Sequence, residues 1–182
     1  EIAFRLALQQ HYDLGRPSSE LLKAIANRCS DSELNALISP ERGNDLRTWL
    51  WGRDILGLIS LAPRAFQPKE LTPLLKRLQP RLYSISSSSK AHPGEVHLTV
   101  GVVQYQSHGR RRMGVCSTFL AERCGEGVPV PLWIQASHGF RLPTDAARDI
   151  IMVGPGTGIA PFHPFLEERR AVGASGRNWL FF

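Results

Sequence analysis

Cysteine and long hydrophobic runs are both scarce in this sequence of 182 residues. Its three cysteines, Cys29, Cys116 and Cys124, form an odd and sparse set, which is typical of a reducing compartment rather than of a disulfide-stabilised secreted domain. No apolar run approaches the roughly 18–20 residues that a membrane-spanning helix needs, so we expect no membrane span. The N-terminal residues lack the pattern of an export signal, and we therefore expect a cytoplasmic location.

Apolar and basic residues are what the chain has in quantity. A hydrophobic fraction of 42% with 21% charged residues predicts a folded chain and excludes wholesale disorder. Lysine and arginine number 22 against 16 aspartate and glutamate, a formal net charge of +6, which favours an anionic partner without saying which one. Base-stacking aromatics and a repeated basic stripe are missing, so a nucleic-acid binder is the least favoured class.

The first part of the chain, residues 1–78, is predicted to be helical. Residues 1–12 form a mostly apolar, alanine-containing stretch, and apolar residues recur at helical spacing in the segments 19–29 and 68–78. Ser30, followed three residues later by Glu33, has the pattern of a capping box before a further helix. Pro80 is expected to end the last helix of this part. No group of residues in this part suggests chemistry.

From residue 81 the apolar pattern changes to the two-residue alternation of β-strands. Strands are predicted at residues 81–86, 96–103 and 128–135. The three arginines Arg110–Arg112 lie between two glycines and are predicted to form a solvated hairpin tip. His92 is interpreted as an isolated surface or packing residue. The middle part, residues 79–146, is therefore predicted to be an antiparallel β region that forms a barrel or part of one.

The last part, residues 147–182, has the pattern of a βαβ unit. It contains an apolar strand at 149–153, a glycine-rich turn at 154–158, a helix at 159–172 and a second apolar strand at 178–182. This order implies a parallel sheet. One such unit cannot cover both faces of its strands, so we expect the domain to continue beyond residue 182.

Two glycine-containing turns are candidate anion sites. The turn at 154–158 follows a strand, and its backbone N–H groups can approach a phosphate. It matches neither the P-loop nor the usual dinucleotide fingerprint, and a plain tight turn is the alternative. Gly114 precedes Ser117 and Thr118 in the first turn of a predicted helix, where an anion site and ordinary helix capping are equally favoured. Cys116 lacks a paired histidine and is interpreted as a packing residue.

A third candidate is the segment Arg81-Leu82-Tyr83-Ser84. In a strand, Arg81 and Tyr83 lie on one face, where a guanidinium can bind a phosphate beside an aromatic ring that stacks on a planar ligand. An exposed edge strand explains this short pattern equally well.

Taken in order along the chain, these motifs resemble the FAD module of the diflavin reductases. The resemblance rests on residues 81–87, 96–105, 114–117, 140–143, 150–162 and 178–182. Within that family the chain is most similar to the flavoprotein alpha subunits of NADPH-dependent sulfite reductases and the related nitrate/sulfite reductase flavoproteins. The resemblance implies an α+β fragment with three parts. These are a helical connecting domain (1–78), a partial antiparallel FAD-binding β-barrel (79–146) and the start of a parallel α/β NADP-binding domain (147–182).

The resemblance also implies roles for individual residues. Arg81 would bind the FAD pyrophosphate, Tyr83 would stack on the isoalloxazine ring, and Ser84 would be the catalytic contact near flavin N5. The other implied cofactor-binding residues are Leu82, Thr99, Val100, Gly101, Tyr105, Gly114, Val115, Cys116 and Ser117 for FAD, with Gly156 and Thr157 for NADPH. No metal site is implied. His163-Pro164 departs from the arginine and small residue that the family usually has at this point.

The implied function is hydride transfer from NADPH to FAD. Single electrons would then pass to FMN in a neighbouring flavodoxin-like domain of the same chain, and on to a metal-centred acceptor such as a sirohaem/iron–sulfur reductase subunit. The 182 residues alone are not expected to be fully active. The alternatives are a flavin-fold binding module without activity, or a reductase for another acceptor such as a nitrate reductase or a haem protein.

Overall fold

The computed structural model describes residues 3–29 and 32–182, apart from the side chain of Ser32, as two compact units. The first unit contains the chain up to Pro80 together with Tyr105–Arg112. The second contains Arg81–Gln104 and Met113–Phe182. Within the described ranges, no helix has the length and apolar character needed to cross a membrane. Ser30, the first residue of the predicted capping box, lies outside the described residues.

The first unit is helical, as predicted. Its helices are α1 (Phe4–Gln10), α2 (Ser19–Ala26), α3 (Ser32–Leu37), α4 (Gly43–Leu50), α5 (Ile55–Ile59) and α6 (Pro68–Leu71), with 3₁₀ turns at Pro40–Arg42 and Thr72–Leu74. Helix α2 is capped by Ser18, whose hydroxyl accepts a hydrogen bond from the Leu21 N–H at 2.9 Å. Helix α5 begins in the same way, because the Asp54 carboxylate accepts from the Gly57 N–H at 2.8 Å. Such caps satisfy N–H groups that the helix itself leaves unpaired.

The apolar faces of these short helices meet in one core. Leu21 and Ile25 of α2, Leu34 of α3 and Leu58 of α5 are fully buried there. The spacing of Leu21, Leu22 and Ile25 places them on one side of α2, so the helical period alone explains which face is buried.

The helix predicted for residues 68–78 is shorter than expected. It ends in the 3₁₀ turn Thr72–Leu74, because Pro73 lacks the N–H that a continuing helix needs. The following residues are extended and pair with the chain after α1. The Leu78 N–H donates to the His11 carbonyl at 2.8 Å, and the Asp13 N–H donates to the Lys76 carbonyl at 2.9 Å. The prediction that Pro80 ends this helix is therefore wrong.

Strands β1 (Gln104–Ser107) and β2 (Arg110–Met113) form a two-stranded hairpin. Its turn is His108-Gly109, both with positive φ (48° and 69°), which is typical of the tight turn that suits a twisted hairpin. The predicted solvated tip of arginines is a strand instead. Within the first unit, the Arg110 and Arg112 guanidinium groups bond to the Asp54 carboxylate. Arg112 also donates to the Gly52 carbonyl at 3.0 Å.

The strands predicted at 81–86, 96–103 and 128–135 are mostly irregular. The first two share one antiparallel bridge, Ile85–Leu98, next to a hydrogen bond from the Ser86 N–H to the His97 carbonyl at 2.8 Å. Apolar alternation signals a strand, but a strand also needs hydrogen-bonding partners along its length. Among the described residues, the Ile85–Leu98 bridge is the only strand pairing that involves any of these three segments. The barrel stays a prediction.

The second unit also contains the predicted parallel strand pair. Strand β3 (Ile150–Val153) pairs in parallel with β4 (Asn178–Phe181), with Ile150 opposite Asn178. Between them lie a 3₁₀ turn at Gly156–Ile159 and helix α8 (His163–Ala171), which begins later than expected. The other helix of this unit is α7 (Val115–Glu122). The chain is thus α+β, with one small antiparallel and one small parallel sheet.

Candidate cofactor site

The predicted flavin segment contacts the start of helix α7 through Tyr83. The Tyr83 side chain is hydrogen-bonded to Cys116, and burial together with this thiol raises the pKa of Tyr83 to about 12. The phenol is therefore neutral at physiological pH. The prediction that Cys116 is only a packing residue omits this contact, which sequence could not show because 33 residues separate the two side chains.

Helix α7 begins with backbone N–H groups that the helix does not use. Its first intrahelical bond runs from the Thr118 N–H to the Gly114 carbonyl at 3.0 Å, so the N–H groups of Val115, Cys116 and Ser117 precede it. No side chain caps this end. The positive end of the helix dipole lies here as well, and together these features suit an anion.

The hydroxyls of Ser117 and Thr118 do not cap the helix. Both side chains are buried. Thr118 Oγ1 donates to the Gly114 carbonyl at 2.7 Å, and Ser117 Oγ accepts from the Val103 N–H at 3.2 Å. Ordinary capping, the alternative considered above, is therefore not what these residues do. Their hydroxyls hold the turn, which leaves the backbone N–H groups for a ligand.

Gly114 is required by close packing at this turn. A Cβ there would lie 2.5 Å from Ser117 Oγ and 2.9 Å from the Val103 Cβ, both shorter than van der Waals contact. The Gly114 N–H also donates to the Val103 carbonyl at 2.8 Å. The helix start is therefore fixed against the segment that contains Thr99, Val100 and Gly101.

The glycine-rich turn contacts the same segment. A Cβ on Gly101 would lie 3.1 Å from Thr157 Cγ2, so the two segments of backbone pass close to each other at this point. The turn itself is tight, since a Cβ on Gly154 would lie 2.5 Å from the Gly158 carbonyl oxygen. Gly156 has a φ of +57°, which favours glycine. The predicted NADPH turn and part of the predicted FAD segment are thus neighbours in the second unit.

The unusual residue His163 also contacts the flavin segment. Its Nδ1 lies 2.8 Å from the carbonyl oxygen of Ser86. The arginine that the resemblance implies here is thus replaced by a histidine that bonds to the protein's own backbone. Neither this contact nor the burial of the serines Ser86–Ser88 was anticipated, although a run of four serines is a compositional signal that something must satisfy their hydroxyls.

The predicted site residues fall into three groups. Those with a direct contact to another predicted segment are Tyr83, Gly101, Gly114, Cys116, Ser117 and Thr157. Those in the second unit without such a contact described above are Arg81, Leu82, Ser84, Thr99, Val100, Val115 and Gly156. Arg81 acts electrostatically on Tyr83, and Ser84 and Thr99 are exposed. Tyr105 belongs to the first unit.

The chemistry of these residues fits a flavin dinucleotide. The unused N–H groups at the start of α7 and the Arg81 guanidinium are donors for a diphosphate. The neutral Tyr83 ring offers a face for a planar heterocycle, and the exposed Ser84 hydroxyl offers a hydrogen bond.

Comparisons with known proteins agree with this chemistry. A sequence model of the family described as "FAD binding domain" matches residues 2–119. The sulfite reductase [NADPH] flavoprotein alpha-component of Bacillus subtilis (strain 168) is 42% identical over 177 residues, 97% of this chain and 29% of the relative. The protein of that name from Photorhabdus laumondii is 41% identical over 182 residues, 100% of this chain and 30% of the relative. The chain therefore spans about three tenths of the length of these relatives.

Proposed function

Because the chain belongs to the FAD binding domain family, we propose that it is the FAD-binding part of an NADPH-dependent flavoprotein reductase of the sulfite reductase type. The observation that carries this proposal is the uncapped start of helix α7, where Cys116 is hydrogen-bonded to Tyr83, a side chain on which Arg81 acts electrostatically. NADPH and the sulfite reductase type enter the proposal from the names of these relatives.

The proposal assigns the three parts of the chain as the sequence predicts them. Residues 1–78 form the connecting helices, residues 79–146 contribute to an FAD-binding barrel, and residues 147–182 begin an NADP-binding domain. The parallel pair β3–β4 with its intervening glycine-rich turn supports the last assignment, because nucleotides bind where such turns follow parallel strands.

In this proposal the chain's own residues bind and orient the cofactors. The α7 N–H groups and Arg81 hold the FAD diphosphate, with Gly114 giving the close approach. Within the second unit, Leu82, Tyr83, Thr99, Val100 and Gly101 line the site. Tyr83 packs its neutral ring on the isoalloxazine, and Ser84 donates a hydrogen bond near N5. Gly156 and Thr157 contact NADPH.

A bound FAD would supply the chemistry of hydride acceptance from NADPH and of single-electron release, which belongs to the cofactor rather than to the protein. The protein needs no side-chain acid or base for that transfer. We propose an FMN-binding, flavodoxin-like domain and then a metal-centred subunit as the electron acceptors.

The test uses the natural-length protein and the variant Gly114→Ala. The added methyl group collides with Ser117 Oγ and the Val103 side chain and displaces the α7 N–H groups, so FAD affinity should fall at least tenfold. Gly125→Ala is the matched control, because a Cβ at Gly125 meets nothing within 4 Å. Quenching of flavin fluorescence on binding gives both affinities.

Wild-type affinity in Gly114→Ala would contradict the proposed diphosphate site. Anaerobic addition of NADPH to the FAD-loaded protein then tests the reaction, and bleaching of the flavin absorbance is the expected result. Flavin binding without bleaching would instead support the alternative of a flavin-fold binding module without activity.

A further inference from the structure

A group of metal-ligand side chains lies outside the proposed cofactor contacts. His92, Glu95 and His97 each offer a ligand atom, and these atoms lie within 4.8 Å of one another. The two imidazole ring centroids are 4.4 Å apart, and His97 Nε2 lies 2.8 Å from a Glu95 carboxylate oxygen. The interpretation of His92 as an isolated residue is therefore wrong.

The backbone that carries these side chains is fixed by the buried serine run Ser86–Ser88. The His92 N–H donates to the Ser88 carbonyl at 2.9 Å, and the His97 N–H donates to Ser87 Oγ at 3.0 Å. Gly94 adopts a φ of +81°, which allows the tight turn between the two histidines. A ligand group whose backbone is already held in place loses less entropy when a metal ion binds.

A second carboxylate orients His92. Glu167 Oε1 lies 3.0 Å from His92 Nε2, and Glu167 Oε2 accepts the Ser88 N–H at 2.7 Å. Histidines that bind metals usually donate their other ring N–H to a carboxylate, which fixes the ring and raises its basicity. Since Nε2 of His92 faces Glu167, Nδ1 is the nitrogen left for a metal ion.

We propose that His92, Glu95 and His97 bind a divalent transition-metal ion with the ligand preference of zinc. Two imidazoles and one carboxylate are a zinc ligand set that leaves a coordination position for water. Magnesium and calcium prefer oxygen ligands alone, so two imidazoles argue against them. The ion replaces the hydrogen bond between His97 and Glu95. This proposal does not depend on the proposed function.

Zinc affinity of the natural-length protein tests the proposal. Zinc sulfate is titrated against a chromogenic chelator, with the protein as competitor, for the wild type and for His92→Asn, His97→Asn and Glu95→Gln. Each variant removes one ligand while keeping the backbone hydrogen bonds, so each should lower zinc affinity at least tenfold. His138→Asn is the control, because His138 is an exposed histidine that lies outside the group, and this variant should bind zinc like the wild type.

A site-resolved measurement covers the case in which a variant folds poorly. Diethyl pyrocarbonate modifies accessible imidazoles, and mass spectrometry reports the rate at each histidine of the wild type. Zinc should slow modification of His92 and His97 several-fold and leave His138 unchanged. Equal zinc affinity in His92→Asn and the wild type, or no protection of His92 and His97, would overturn the proposal. Equal protection by magnesium would also overturn it.

Discussion

The two units of the chain bury different kinds of side chain. In the first unit the buried residues are mostly aliphatic, with Leu21, Ile25, Leu34 and Leu58 completely removed from solvent. In the second unit the buried aliphatic side chains are few, and most of the buried set is polar. These buried polar residues are Ser86, Ser87, Ser88, Ser117, Thr118 and Arg169. One unit is therefore organised by apolar packing and the other largely by hydrogen bonds.

This difference agrees with the proposed roles of the connecting helices and of the cofactor-binding residues. An apolar core tolerates volume-conserving change but resists cavities, which suits helices with a purely structural role. Hydrogen-bonded turns hold backbone groups at fixed positions, which is what ligand binding needs. The polar contacts of the second unit therefore specify position more than they add stability, since the net contribution of one hydrogen bond is only about 1 kcal/mol.

The largest effect is expected for Leu58→Ala in the first unit. The substitution leaves a cavity among fully buried side chains, so the opening free energy should fall by about 2–5 kcal/mol. Hydrogen exchange of peptides from α2 and α5, measured by mass spectrometry, reports it. Leu56→Ala is the matched control on the same helix, where the side chain is 63% exposed. An equal loss in both variants would contradict the apolar core as the organising element.

An intermediate effect is expected for Arg169→Met in the second unit. The Arg169 guanidinium is buried and donates to the carbonyls of Arg148, at 3.0 Å, and Gly176, at 2.8 Å. Methionine fills the space but leaves both carbonyls without this donor, which should cost about 1–3 kcal/mol in hydrogen exchange of β3 and β4. The exposed neighbour Arg170→Met should change little. Unaltered exchange in Arg169→Met would show that packing, not hydrogen bonding, holds this unit.

The smallest effect is expected for Asp54→Asn in the first unit, where the Asp54 carboxylate pairs with Arg110 and Arg112. Burial opposes ionisation of the Asp54 carboxyl, but the Gly57 N–H and the guanidinium groups of Arg110 and Arg112 outweigh it and lower its pKa below the ordinary 3.8. Asparagine keeps the helix cap and loses the charge, so the cost at neutral pH should be about 1 kcal/mol.

The pH dependence of the Asp54→Asn effect tests whether the ionised Asp54 carboxylate stabilises the fold. A lowered pKa in the folded state stabilises the protein above the ordinary pKa and loses that contribution as pH falls through the lowered value. The difference between wild type and Asp54→Asn, measured by hydrogen exchange of α5, should therefore shrink below about pH 4. Asp45→Asn, in an exposed pair with Arg42, serves as the control. A difference that grows on acidification would contradict the ion pairs.

Sequence predicted best what depends on local periodicity. The spacing of Leu21, Leu22 and Ile25 predicted α2, and an apolar run followed by glycines predicted β3 and the turn after it. The strand prediction for residues 96–103 failed for a physical reason. Apolar alternation reports side-chain polarity and not the presence of a partner strand. The prediction of a solvated hairpin tip at Arg110–Arg112 also failed, because flanking glycines do not show that the Asp54 carboxylate binds two of these arginines.

The candidate site was predictable as motifs but not as contacts. The resemblance named Tyr83 and Cys116 separately, and the hydrogen bond between them required the fold. The contact between His92 and Glu167 has no local signal, because the two residues are 75 positions apart. Side chains that meet across such separations leave no periodic trace in the sequence.

The hydrogen bonds from Ser88 to helix α8 also affect the order in which parts of the chain can fold during synthesis. Ser88 pairs with Glu167 and Glu168, which follow it by 79 and 80 residues. At about 5–20 residues per second on a ribosome, Ser88 waits roughly 4–16 seconds for these partners. The aliphatic core of the first unit is complete in the chain by Leu75. The helices can therefore pack first, while the serine segment stays hydrated until helix α8 has been synthesised.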